Sequence, residues 1–150
     1  MSDSSESTSV RLAGLVPCHV ADISVHLPEP YARLTLALDG VPRGRSLVIP
    51  VSMDQARQLV IAWTRKRTPR PLTAELVDRI LVAYQITVAY AAITDVKEGT
   101  YLAELGLVHA GGAPQVFEAR PSDAIAFALG AAVAAPILIN PMLCEQQEVL

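Results

Sequence analysis

The chain has 150 residues, a formal net charge of −3, and 51% apolar but only 5% aromatic residues. That is the length of one ordinary domain, with a core built from Ala, Leu, Ile and Val. The charge excludes a protein that attracts nucleic acid through its overall field, so any such binding needs a local patch.

Met1 to Ser9, MSDSSESTS, has neither the basic nor the apolar region of a signal peptide and reads as an acidic disordered tail. Val10 to Val16 follows as a short strand. Tyr31 to Leu38 is a better one, with Leu34, Leu36 and Leu38 alternating with Arg33, Thr35 and Ala37. Asp39-Gly40 and Pro42-Arg43-Gly44 are turn chemistry, and Ser46 to Val51 returns as a strand whose Pro50 marks an edge or an end. Ser52-Met53-Asp54-Gln55 has the spacing of a capping box and opens a helix with Ala56, Leu59, Val60 and Trp63 on one face. Thr64 to Pro71 breaks that helix. Thr73 is the expected N-cap of a second one, with Leu76, Ile80, Leu81 and Tyr84 as its buried stripe and Glu75, Asp78 and Arg79 toward solvent.

The period then changes to two. Ile86 to Thr94, Thr100 to His109 and Gln115 to Ala119 read as an antiparallel meander, joined through Asp95–Gly99 and around Gly111-Gly112. A turn centred near Gly112 puts Glu104 roughly opposite Arg120. Asp123 to about Val133 is a helix apolar on every side, hence buried all round or covered by another subunit. Ile137 to Ile139 is a last buried strand. The expected layout is a tail over 1–9, one domain over 10–145 and a tail over 146–150. The fold class is α+β: a single domain with a mainly antiparallel or mixed β-sheet and about three helices.

Cys18 and Cys144 have no CxxC or metal-type spacing and fit reduced, buried thiols of a cytoplasmic protein. The longest apolar stretch, Ala124 to Ile139, holds Gly130 and Pro136 and is too short to span a bilayer, so no membrane partner is expected.

The chemistry concentrates at Arg120-Pro121-Ser122-Asp123. Arg120 precedes a proline and is pushed to extended geometry, Ser122 can cap the following helix, and Asp123 suits its positive end. The same corner is also an anion site, able to hold phosphate, with Asp123 as metal ligand or general base. A second candidate is the run Arg65-Lys66-Arg67-Thr68-Pro69-Arg70-Pro71, which concentrates cations beside Trp63. It reads either as a solvated helix end or as a patch for the phosphate backbone of RNA or DNA. Arg70-Pro71-Leu72-Thr73 repeats the Arg-Pro opening, so two arginines at two helix starts either share a cleft or form unrelated corners. Among the acids Glu75, Asp95, Glu104, Glu118 and Asp123, no metal-type spacing occurs.

Four segments carry a resemblance: RPLTAEL at Arg70–Leu76, ITDVKEGTYLAEL at Ile93–Leu105, ARPSDAIAFAL at Ala119–Leu129, and API at Ala135–Ile137. In order and spacing they resemble the bifunctional nuclease (BFN) domain family of bacteria and plants. Leu47–Ala56 resembles its N-terminal motif more loosely. The resemblance implies an α+β domain, a homo-oligomer, and DNase and RNase activity, that is, a hydrolase. The family commonly has His-Asp where this chain has Ala74-Glu75, Ile-Trp-Ile-Gly and a Glu where it has Ile49-Pro50-Val51-Ser52 and Gln55, and Asp where it has Glu118. It also commonly has Arg after the position of Leu129.

Two functions are therefore expected as alternatives. In a metal-assisted phosphodiesterase, Arg70 and Arg120, helped by Arg65 and Arg67, hold phosphate. Asp123 with Glu75 or Glu118 binds Mg²⁺ or Mn²⁺, Asp123 and Glu75 act as catalytic groups, and Ser122 and Thr73 orient the site. Arg70, Glu75, Arg120 and Asp123 then line one exposed cleft. In a non-catalytic oligomeric binding or regulatory domain without any cofactor, the same residues are structural and the last helix makes the subunit interface.

Overall fold

The computed structural model describes residues 12–41, 44–66 and 68–145. The expected tails, Val10, the Pro42-Arg43 step and Arg67 lie outside the described residues. The strands are β1 (Val16–Val25), β2 (Ala32–Leu38), β3 (Ser46–Val51), β4 (Ile86–Lys97), β5 (Thr100–His109), β6 (Gln115–Ala119) and β7 (Ile137–Ile139). They form one seven-stranded sheet in the order β3-β2-β1-β7-β4-β5-β6. All neighbours are antiparallel except β4 and β7, so the sheet is mixed. Three α-helices, α1 (Met53–Thr64), α2 (Thr73–Ala83) and α3 (Pro121–Gly130), and a short 3-10 helix, Pro141–Leu143, accompany it among the described residues. This is the single α+β domain the sequence predicts.

Local patterning explains much of it. The alternating β2 buries Ala32, Leu34, Leu36 and Leu38, and β3 buries Leu47, Ile49 and Val51. Their register, Leu34 opposite Ile49 and Leu36 opposite Leu47, puts both apolar rows on one face. Pro50 is tolerated because β3 is an edge strand. The capping box forms as read: Gln55 N–H donates to Ser52 Oγ at 3.1 Å and Ser52 N–H donates to Gln55 Oε1 at 2.8 Å. Helix α3 packs against α1, α2, β4 and β5, but not on all sides as expected: Phe127 and Leu129 are only partly buried and Gly130 is exposed. Its buried positions are Ser122, Ala124, Ile125, Ala126 and Ala128, and the small side chains let neighbours approach closely.

Several expectations are corrected. The first strand begins at Val16, where it was expected to end, and runs to Val25. A register shift between Val20 and Asp22 breaks its alternation, which is why periodicity does not reveal it. Helix α3 stops at Gly130 rather than Val133, because Ala131 is extended at φ −59, ψ 152. The N-cap of α2 is Leu72; Thr73 is already inside the helix and no side chain caps it. The expected apolar stripe of α2 faces outward, with Leu76 51%, Ile80 48% and Tyr84 69% exposed, and only Leu81 of that set packs on the core. Helical spacing says which residues share a face, but not which face the rest of the chain covers. Finally, Glu104 lies opposite Glu118, not Arg120. The β5–β6 turn is centred earlier, with Ala110 (φ 39) and Gly111 (φ 80) in left-handed geometry and Gly112 N–H bonded to His109 O at 2.7 Å.

No helix among the described residues is long and apolar enough to cross a membrane. The two edge strands, β3 and β6, border a common cavity. Residues 49–51 of β3 and 118–119 of β6 line one cavity, so the sheet curls until its two edges face each other across the start of α3.

Candidate functional site at the start of α3

That cavity has a volume of about 620 Å³. Its walls are residues 49–51, Gln55 at the start of α1, residues 99–102 entering β5, and residues 118–122 leading into α3. Arg120 takes the N-cap position at φ −69, ψ 147, as a residue before proline must, and Pro121 occupies the first turn. The first bond of the helix runs from Ala124 N–H to Arg120 O at 3.0 Å, and no side chain caps this end. The N–H groups of Ser122 and Asp123 therefore precede the intrahelical ladder.

Ser122 does not act as the cap. It sits inside the helix, 4% exposed, and among the described residues its Oγ has no hydrogen-bond partner. Arg120 Nε donates to Asp123 Oδ2 at 2.7 Å, with the guanidinium exposed. That hydrogen bond, and the charge behind it, raise the Arg120 pKa. Asp123 also favours the positive end of the helix dipole. The Gln55 amide is oriented by its bond from Ser52 N–H, which occupies Oε1 and leaves the Nε2 hydrogens as donors. Glu118 is exposed, while Glu104 across the ladder is buried. Arg120, Ser122 and Gln55 thus bring hydrogen-bond donors to the helix start, beside the Glu118 carboxylate.

A second cavity, of about 640 Å³, lies between α1, α2 and the far part of α3. Arg65, Lys66, Glu75, Asp78 and Arg79 line it. Arg65 ends α1 in left-handed geometry at φ 53. Its guanidinium donates to Leu129 O at 2.9 Å and Ala131 O at 3.2 Å, closing the carbonyl end of α3. Glu75 Oε1 accepts from Thr68 Oγ1 at 3.1 Å. Burial raises the Asp78 pKa, and Arg65 pulls it partly back.

The sequence-predicted residues therefore divide. Arg120, Ser122 and Glu118 line the first cavity, and Arg65 and Glu75 the second. Asp123, Arg70 and Thr73 line neither. Arg67 lies outside the described residues. Arg70, Glu75, Arg120 and Asp123 do not form the one cleft expected of them, because Glu75 and Arg120 belong to different cavities. Among the described residues, no three His, Cys, Asp or Glu side chains gather into a metal-binding group. Thr100, Tyr101 and Leu102 also line the first cavity, and no spacing in the sequence links them to the α3 corner.

The family model of the bifunctional nuclease domain matches residues 36–150, which take in both cavities and all three α-helices. Two uncharacterized proteins from two strains of Mycobacterium tuberculosis are each 26% identical over 134 residues. Those alignments cover 85% of this chain and 74% of each relative.

Proposed function

Since the chain belongs to the bifunctional nuclease domain family, we propose that it binds and cleaves phosphodiesters of RNA or DNA at the start of α3. One observation carries this reading: the buried Ser122 hydroxyl has no partner at an uncapped helix N-terminus beside Arg120. Leaving such a group unsatisfied costs about 1–3 kcal/mol, and a bound oxyanion would offset that cost.

In this reading the N–H and the hydroxyl of Ser122 and the Arg120 guanidinium hold the non-bridging oxygens of one phosphate, at the positive end of the helix dipole. Water attacks phosphorus and the P–O bond to one sugar oxygen breaks, that oxygen leaving as an alcohol with a proton given up by the water. Negative charge grows on the non-bridging oxygens in this step, so donors fixed beforehand lower the barrier. Asp123 is a positioning residue that holds Arg120 in place. Gln55 Nε2 adds a donor from the opposite wall. Mg²⁺ or Mn²⁺, held by Glu118 together with substrate oxygens, would supply charge screening and an activated water. Glu75, at the second cavity, takes no part. Of the basic run, Arg65 is engaged with the carbonyls of α3, so Lys66, Arg67 and Arg70 are left, by charge alone, to carry the general attraction for a phosphate backbone.

A second reading, a non-catalytic binding domain, is favoured by Ala74 and Gln55, which stand where the family commonly has a His and a Glu. Cleavage of single-stranded RNA and DNA, followed with Mg²⁺, with Mn²⁺ and with EDTA, separates the two. Divalent-dependent cleavage that falls on the order of 100-fold in Glu118→Gln supports hydrolysis at this site. Cleavage indifferent to both EDTA and that substitution overturns the mechanism, and no cleavage with either metal favours the binding domain.

A further inference from the structure

We propose that the cavity before α3 takes one unpaired nucleotide of a single strand, with its phosphate at Ser122 and its base against Tyr101. This rests on the phosphate reading above and extends it to the substrate's form. The lining has two characters. Arg120, Ser122 and Gln55 bring hydrogen-bond donors to the helix start, while Pro50, Tyr101 and Leu102 supply an apolar wall. A purely anion-binding corner has no need of that wall. A nucleotide, with an anionic end and a flat apolar end, matches both parts.

Tyr101 is half-buried and packs against the edge of the hydrophobic core while lining the cavity. Its ring is thus held in place before the ligand arrives, and an aromatic ring stacks on any base with little preference for its identity. The volume of about 620 Å³ falls in the range of small-molecule sites. Its opposite walls come from the two edges of the curled sheet, β3 on one side and β5 with β6 on the other. A base stacked within a duplex cannot reach between those walls unless it is unpaired and turned out, which costs free energy. A single strand avoids that cost.

Binding to the full chain is compared for inorganic phosphate, ribose 5-phosphate, adenosine 5′-monophosphate, a single-stranded oligonucleotide and its blunt duplex, all in EDTA. The mononucleotide should bind about 10-fold more tightly than ribose 5-phosphate, and the single strand about 10-fold more tightly than the duplex. Tyr101→Leu, which keeps apolar packing against the core, should abolish the preference for the mononucleotide, whereas Tyr101→Phe should keep it. Equal affinity for mononucleotide and ribose 5-phosphate, or an unchanged ratio in Tyr101→Leu, overturns the nucleotide pocket while phosphate binding still stands. Equal affinity for strand and duplex does the same. Failure of every phosphate-bearing probe to bind overturns the phosphate reading itself.

Discussion

Arg120 and Asp123 are joined across the first turn of α3 by a 2.7 Å bond from Nε to Oδ2. The bond uses one edge of the guanidinium and leaves its two terminal nitrogens as donors. Asp123→Asn keeps the shape of the side chain but removes the charge that orients Arg120. It should lower kcat on the order of 10-fold with little change in KM, because misplacement acts on the transition state more than on binding. The melting temperature should fall by only a few degrees, since an exposed ion pair and the helix dipole are each a small part of the stability. Steady-state kinetics and a melting curve on the same preparation check both. Unchanged kcat would deny Asp123 its positioning role.

The other end of α3 is closed by Arg65, whose two guanidinium bonds satisfy Leu129 O and Ala131 O. Arg65→Ala should destabilise the protein by about 1–2 kcal/mol, roughly 3–6 °C in Tm. Arg65→Lys should restore less than half of that, because an ammonium cannot reproduce the fork. Denaturant unfolding of the three proteins measures it. Equal stability would show that the first solvent shell serves these carbonyls equally well.

The division between legible and hidden features follows sequence distance. The capping box at Ser52–Gln55, the alternation of β2 and the β4–β5–β6 meander depend on residues close in the chain, and all were readable. The RPSDAI corner was readable in part: the extended Arg120 and the helix after it, but not the place of Ser122, which lies inside the helix and does not cap it. The outward face of α2 was not, since the core that rejects Leu76, Ile80 and Tyr84 is assembled from distant strands. Likewise the Glu104–Glu118 register turned on a small shift in where one turn is centred. Within the candidate site, Arg120 and Ser122 came from one motif, whereas Gln55 and Tyr101 reach it only because the sheet brings its edges together.

Gly106 has a packing reason to be glycine. A Cβ there would stand 2.2 Å from Tyr90 Cε1, the ring lying across the ladder where Tyr90 and Gly106 are paired. Gly106→Ala should cost about 1–3 kcal/mol by overpacking. Combined with Tyr90→Ala it should cost less than the sum of the single changes, because the clash then has no partner. A double-mutant cycle in urea tests this, and strict additivity would contradict the contact.

Burial pushes the Cys18 thiol up to about 12, with the charges of Asp39 and Cys144 adding to it. The folded state thus keeps a proton that the unfolded chain releases from about pH 9.0 upward. Stability from this group is complete below that pH and is lost as pH rises toward 12, at about 1.4 kcal/mol per pH unit. Cys18→Ala should flatten the alkaline limb of a stability–pH profile. An unchanged slope would assign the alkaline loss to other groups.

The most direct measurement of the site at the start of α3 is a phosphate titration of the labelled protein in EDTA, read at backbone amides. The amides of Ser122 and Asp123 should shift together and saturably, and Ser122→Ala should weaken the affinity on the order of 10-fold. Shifts confined to Lys66 and its neighbours, with Ser122 and Asp123 unmoved, would contradict a phosphate site at the start of α3.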